Sequence, residues 1–414
     1  MTSSDDFFQG YFDWAATTPP DILIQQESML RASECFANPS SVHKAGIQAK
    51  SLLQEARERC AKSLGVSPNN LIFTSGGTES NHWPFLSLLQ RPKTKFSDKS
   101  QGTIIISAIE HPAIREMAES MKNLGYNIIS IKPERNGIVN AEKLLEKVNE
   151  NTLLVCLMAV NNETGAIQPI YKVADELIKM CAGKKKPKFH VDAVQAIGKI
   201  PLLLNYEGID TVAISAHKLR GPKGMGLLYL AKRQEPFLRG GGQEIGLRAG
   251  TENVAGAISM AACLEKYALT PINRTDSSIP NQKAFNKYKE QIESTFQFIE
   301  QISNIKGCKL IPEVRKDLEP AENVKLFSPW IVQASFENIP GEVMVRALSE
   351  RGFSISTGSA CSTKKLSRPV LESMDIKKAQ ASTAVRFSFG AESAKDDIQS
   401  LIQALNQIRE IFKV

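Results

Sequence analysis

At 414 residues, 42% hydrophobic and 23% charged, the chain has ordinary soluble globular composition, with length for two or three domain-sized units and a large core. No apolar run reaches membrane-spanning length, the acidic start MTSSDDFFQG lacks the basic-then-apolar order of a secretory signal, and a net charge of +7 does not mark a nucleic-acid binder. Seven cysteines, odd in number, irregularly spaced and without a CxxC pair, argue against a disulfide framework or a metal site and for a reduced, cytoplasmic protein.

IQAKSLLQEARERCAKSLG (47–65) has helical apolar spacing and a glycine stop. Short apolar or β-branched runs then alternate with helix-like stretches: LIFTS (71–75), TIIISAI (103–109), NIISI (127–131), LLVCLMAV (153–160), KFHVDA (188–193), TVAIS (211–215) and GLLYL (226–230). Near-continuous apolar strands suit a sheet covered on both faces, and the alternation predicts an α/β fold with a mostly parallel seven-stranded sheet. KKK at 184–186 reads as a solvated loop. The breaker-rich TPINRTDSSIPNQ (270–282) marks a boundary. Beyond it a helix-rich segment, WIVQASFENI as a strand and GEVMVRALSER as a helix predict a smaller α+β domain.

Ligands of open α/β sheets bind beyond the carboxyl ends of the strands, where five junctions here carry unusual polar residues. LIFTS runs into GGTES, TIIISAI into Glu110-His111, and LLVCLMAV into NNETG. KFHVDA carries Asp192 near its end, with Gln195 three residues on, and TVAIS runs into AHKLRGPKG. Five in succession argue for one composite site. SGGTES is either a tight βα turn or an anion cradle, in which glycines admit the backbone and Thr78 adds a donor. Lys218 is either a solvated loop residue or the amine of a Schiff base to a phosphate-bearing aldehyde, for which Asp192 could hold a pyridine nitrogen. His111 is a strand-end histidine or a proton relay over the ring, and Arg386 a surface arginine or the fork for a substrate carboxylate. Cys361, in STGSACSTKK, is a structural thiol or a nucleophile on a small-residue loop with Lys364 and Lys365 beside it.

Together these residues resemble the cysteine desulfurases, pyridoxal-phosphate enzymes of the aspartate-aminotransferase fold type, and group I most closely. The resemblance spans nearly the whole chain. It is carried by YFDWAATTP, ANPSSVH (37–43), FTSGGTES (73–80), EHPAI, VNNETG (160–165), HVDAVQAIGK (190–199), SAHKLRGPKG (215–224), GGGQEIGLRAGTEN (240–253), GSAC (358–361) and VRFSFG (385–390).

The resemblance implies a large domain over 16–271. It implies a small one over 1–15 and 272–414, which carries the cysteine loop at about 356–368. Lys218 would hold pyridoxal 5'-phosphate, Asp192 would pair with its ring nitrogen, and Gln195 would meet its phenolic oxygen. Asn162 would sit near that oxygen and the substrate carboxylate. Gly77, Thr78, Ser215 and His217 would hold the phosphate, and Thr251 would reach the phosphate of a partner subunit in a homodimer. His111 would stack on the ring and relay protons, Arg386 would bind the carboxylate of L-cysteine, and Cys361 would take the sulfur. It lies 25 positions before Arg386, a spacing like the long loop of group I. The implied products are L-alanine and a persulfide, passed to iron–sulfur scaffold or thiolation acceptors. The remaining alternatives are a related enzyme without sulfur transfer, such as an aminotransferase or selenocysteine lyase, and a weakly active sulfur-relay partner. The other six cysteines read as packing residues. Ala37, His82, Arg220 and Ile245 depart from the family pattern.

Overall fold

The computed structural model describes residues 8–90, 101–358 and 367–412. Its seven-stranded sheet is built from the apolar runs: β1 (Leu71–Thr74), β2 (Thr103–Ser107), β3 (Asn127–Ile131), β4 (Thr152–Cys156), β5 (Lys188–Asp192), β6 (Thr211–Ser215) and β7 (Gly226–Leu230). The order is β1-β7-β6-β5-β4-β2-β3, parallel except that β7 runs against both neighbours.

Side chains alternate across a strand, so its two faces feed different cores. Ile105 and Val155 pack into the main core with Leu53, Ala56 and Cys60 of α2 (Lys44–Leu64, which follows α1, Ile22–Glu34) and with Ala257 and Ile258 of the helix Val254–Tyr267. Ile104, Ile106, Leu154 and Cys156 face the other way, against Phe85 and Leu88 of α3 (Gly77–Leu88) and Ile114 and Ala118 of α4 (Pro112–Asn123). The edge strand β3 departs from the continuous-apolar expectation: only Ile131 is fully buried, because one side has no neighbouring strand. LLVCLMAV leaves the strand at Cys156, and its last residues lead into the site.

β1 lies at the opposite edge, where its outward backbone groups need partners. Arg57 and Glu244 supply them. Arg57 donates to the Leu71 carbonyl at 2.9 Å, and Glu244 accepts from the Phe73 amide at 2.8 Å. The two side chains join each other through two 2.8 Å contacts and are almost fully buried. Glu244 and Ile245 both take positive φ, 48° and 60°, a conformation disfavoured for a β-branched residue. The loop from Gly240 to Asn253 is thus tied to the sheet through a carboxylate on strained backbone.

A second, antiparallel sheet holds β8 (Cys308–Ile311), β9 (Ile331–Phe336) and β10 (Ala384–Ser388) in the order β10-β9-β8. Residues 11–15 return to it: the Ser388 amide donates to Phe12 O at 2.8 Å, and Ala15 N donates to Ser388 Oγ at 2.9 Å. On this evidence we propose the division into 16–271 and the remainder. Lys186 differs from the solvated-loop expectation, since its amine reaches Asp210 at 2.5 Å and the Gly208 carbonyl at 3.0 Å. No described helix is long and apolar enough to cross a membrane.

Breaking the buried pair leaves an uncompensated charge. Arg57→Met should cost about 3–5 kcal/mol. Arg57→Met/Glu244→Gln should recover part of the loss, because glutamine can still accept from Phe73 without a charge. Urea midpoints of the two variants test this.

Candidate active site

The carboxyl ends of β4, β5 and β6, the starts of α3 and α4, and residues from β10 and its approach surround a cavity of about 280 Å³. Gly77, Thr78, His111, Asn162, Asp192 and Gln195 line it, as do Ser215, His217, Lys218 and Arg386. Gly77, Thr78, Ser215 and His217 also face an adjoining open cleft of about 350 Å³. Thr251 is exposed and does not line the cavity. Cys361, Lys364 and Lys365 lie outside the described residues. Gly358, three residues before Cys361, is on the cavity wall.

Asp192 ends β5 with its side chain buried. Its Oδ1 accepts from Val194 N at 2.9 Å and its Oδ2 from Asn81 Nδ2 at 2.8 Å. The Asn81 amide oxygen lies 2.9 Å from His190 Nε2, and His190 Nδ1 lies 2.7 Å from Thr211 Oγ1. Because Asn81 donates to Asp192, its oxygen must accept. His190 therefore carries its proton on Nε2 and accepts the Thr211 hydroxyl on Nδ1. Complete burial agrees with this neutral ring, pulling the His190 pKa down to about 3.

Lys218 closes the 3₁₀ turn Ala216–Lys218 after β6, and its Nζ lies 2.6 Å from the carbonyls of Ala15 and Ala16. Thr18 N and Oγ1 both donate to His217 O, so the DWAATT stretch is fastened to the lysine-bearing turn. His217 Nδ1 lies 3.1 Å from Thr17 Oγ1. Burial first, then the Lys218 cation, lower its pKa to about 4. His111 caps α4 by accepting Ala113 N at 3.1 Å on Nδ1. A neutral ring then keeps its proton on Nε2. Burial lowers the His111 pKa, with Asp192 opposing and Lys218 reinforcing the shift.

The α3 start is a cradle in which a side chain at Gly77 would meet Val194 at 2.8 Å. Free N–H groups there, the Thr78 and Ser215 hydroxyls and His217 make an anion site. Arg386 is held by Asp13 Oδ1 at 2.7 Å and by the carbonyls of Asn162 and Gly358 at 2.8 and 3.1 Å. Its buried Nε has no hydrogen-bond partner. The wall therefore suits a ligand with an anionic group, an electrophilic carbon for Lys218, a ring nitrogen for Asp192 and a carboxylate for Arg386.

Several residues at or behind the wall escaped the sequence reading. Asn81 sits one helical turn beyond Gly77, and His190 two residues before Asp192 on the same strand face, spacings that could have linked them to the site. Glu163 and Arg115 also line the cavity, and each has a buried, unpartnered side-chain atom, as does Glu110. Of the departures, His82 is half-buried and meets Ala113, off the cavity. Arg220, at φ 61°, packs against Phe8 and Tyr267 and pairs with Glu392. Ile245 is 44% exposed. Cys60, Cys156 and Cys263 are buried packing residues, whereas Cys35 and Cys181 are partly exposed at helix ends.

The profile of the aminotransferase class-V family matches residues 10–401. A protein named cysteine desulfurase IscS from Dictyoglomus turgidum is 35% identical over 403 residues, covering 97% of this chain and 94% of the relative. A protein of the same name from Buchnera aphidicola subsp. Baizongia pistaciae is 34% identical, covering 97% and 92%. Among solved structures, one titled a NifS-like protein superposes with a TM-score of 0.81 at 31% identity, covering 97% of this chain and 100% of that one. Another, titled SspA in complex with cysteine, gives 0.70 at 27% identity, covering 92% and 98%.

Glu110 offers a pH test. Its Oε1 accepts from Ser107 Oγ at 2.5 Å and Met158 N at 2.8 Å. Burial, with Asp192 adding to it, raises its pKa from 4.5 to about 8. Folding thus favours the protonated acid: the penalty is absent below the unfolded pKa, grows as pH rises, and levels off above the folded value. Glu110→Gln mimics that acid. In coenzyme-free protein it should match wild type near pH 4.5 and gain on it by up to about 1.4 kcal/mol per pH unit toward pH 8, read from urea midpoints.

Proposed function

The chain belongs to the class-V aminotransferase family and is a pyridoxal-phosphate-dependent cysteine desulfurase, and on that premise we propose how its own residues divide the work. The observation that carries the assignment is the meeting, on one cavity wall, of the Lys218 amine, the Asp192 carboxylate, the α3 cradle and Arg386. The coenzyme, when bound, supplies an electron sink for the substrate's α-carbon.

The α3 N–H groups, Thr78, Ser215 and His217 hold its phosphate, and Asp192, fixed by Asn81 and Val194, faces its ring nitrogen. Gln195 and Asn162 border its phenolic oxygen. The Arg386 Nε–H, which lacks an internal partner, meets the carboxylate of L-cysteine. Lys218 Nζ takes the α-proton, and His111 holds or moves a proton at Nε2. The Cys361 thiolate attacks the substrate sulfur. The electron pair of the breaking C–S bond stays with the carbon skeleton, which is protonated and leaves as L-alanine. Cys361 keeps the sulfur as a persulfide for an iron–sulfur scaffold or thiolation acceptor. Cys361 is three positions on from Gly358 on the wall, a reach of at most about 11 Å.

We also propose a homodimer. Phe36 and Val42 are 85% and 92% exposed, and Leu23 and Leu30 on α1 are 74% and 67% exposed. An apolar surface of this kind suits a second copy, whose cavity Thr251 would then complete.

Purified protein given pyridoxal phosphate, L-cysteine and a thiol reductant should release alanine and sulfide in equal amounts. Cys361→Ser should abolish sulfide, and normal sulfide from that variant would reject the acceptor assignment. Borohydride should fix the coenzyme to wild type and not to Lys218→Ala.

Light scattering should give twice the chain mass. Phe36→Glu/Val42→Glu should shift it toward the monomer; a monomeric wild type rejects the dimer.

A further inference from the structure

One buried amine behind the cavity wall has no part in the chemistry above. Lys199 is 6% exposed, and its Nζ donates to Gln195 Oε1 at 2.5 Å. Gln195 is itself 5% exposed, and its Nε2 donates to Ala15 O at 2.8 Å. Lys199 is four residues beyond Gln195 in a helical run, where Ile197 N and Ile200 N donate to Ala193 O and Ala196 O. Its own carbonyl accepts Trp330 Nε1 at 2.6 Å, so its backbone is fixed from the side of the second sheet.

We propose that Lys199 is a positioning residue: it clamps the Gln195 amide so that the second Nε2 hydrogen stays available to the coenzyme's phenolic oxygen. The inference rests on the coenzyme site assigned above. A side-chain amide has two orientations related by a half-turn, and its partners decide between them. Ala15 O favours the observed one, but Lys218 Nζ lies 2.6 Å from that same oxygen. Once Lys218 engages the coenzyme, that end of the clamp changes. The Lys199 contact to Oε1 is independent of Lys218 and holds the amide through the change.

The chemistry of Lys199 suits the task. Burial first, then the like charges of Lys218 and Arg386, push its pKa well below the ordinary lysine range. Donating to the amide oxygen also polarises the amide, which strengthens the N–H it offers. A donor at the phenolic oxygen stabilises the oxygen's anionic form, so losing it raises the pH at which the bound coenzyme gives up its proton.

The test titrates the visible absorption of the bound coenzyme against pH in wild type, Lys199→Met, Gln195→Ala and the double variant. Lys199→Met keeps the length of the stem and removes the donor. It should raise the midpoint by about half a pH unit or more, the worth of one hydrogen bond. Gln195→Ala should raise it at least as far, and adding Lys199→Met to Gln195→Ala should change nothing more. An unchanged midpoint in Lys199→Met, or shifts that add in the double variant, overturns the proposal while the site assignment stands. A wild-type protein that gains no visible band with pyridoxal phosphate overturns both. A crystal structure of wild-type holoenzyme reads the contact without substitution: Lys199 Nζ on Gln195 Oε1, with Nε2 on the phenolic oxygen, supports it, and a flipped amide overturns it.

Discussion

The site depends on a carboxylate buried at the end of the central strand. Asp192 is 4% exposed, and a buried anion is tolerated only when donors surround it. Here the donors form a directed chain from Thr211 Oγ through His190 and Asn81 to Oδ2, with Val194 N on Oδ1. Each link fixes the next. The His190 Nε2 proton on the Asn81 oxygen orients the amide with Nδ2 toward Asp192, and the Thr211 hydroxyl on Nδ1 selects the His190 tautomer that donates from Nε2. The sheet places all four: His190 and Asp192 share a face of β5, Thr211 pairs beside His190 on β6, and Asn81 comes from α3 packed over that face.

Charge on the wall and just behind it is arranged around that anion. Glu110 and Glu163 are buried with raised pKa values, burial being the main cause for both, so neither adds a second strong negative charge at neutral pH without cost. Lys199 and His217 are pushed toward their neutral forms by the same burial. The guanidinium groups of Arg386 and Arg115 face the same cavity, the first fixed by Asp13 and two carbonyls. A ligand with two anionic ends therefore finds a fixed guanidinium at one end and the neutral donors of the α3 start at the other. In the proposed reading those ends are the coenzyme phosphate and the substrate carboxylate.

Much of this was legible in the sequence, and for physical reasons. Six of the seven large-sheet runs are closely flanked by other chain elements on both faces, so their apolar character follows from burial; β3, at the edge, read as apolar but is largely accessible. Polar residues at strand ends marked the cavity because the parallel topology brings those ends together. The supporting shell was harder. Asn81 and His190 meet although they are distant in the chain, and the Gln195–Lys199 contact depends on which amide orientation the DWAATT stretch enforces. Arg57 and Glu244 were also silent, because their work is done on backbone groups of an edge strand, and a sequence pattern records side chains.

One guanidinium links the substrate end of the cavity to the chain that leads to Cys361. Arg386 donates to the Gly358 carbonyl, and the Gly358 amide donates to Ser356 Oγ at 2.9 Å. On the far side of the cysteine, Arg368 reaches back to the Thr357 carbonyl. The two ends of the segment are thus fastened to each other and to the residue assigned to the substrate carboxylate. Glu163 sits among these groups, its field felt by Arg368 and its own pKa lowered by Arg368 and Arg386 against the larger effect of burial. In the proposed reading the Cys361 thiolate must meet the sulfur of each successive substrate in the same place, so a fixed base for its segment matters. The guanidinium proposed to meet the substrate carboxylate also fixes Gly358, so in that reading one side chain sets both the position of the amino acid and the base from which the segment bearing Cys361 departs.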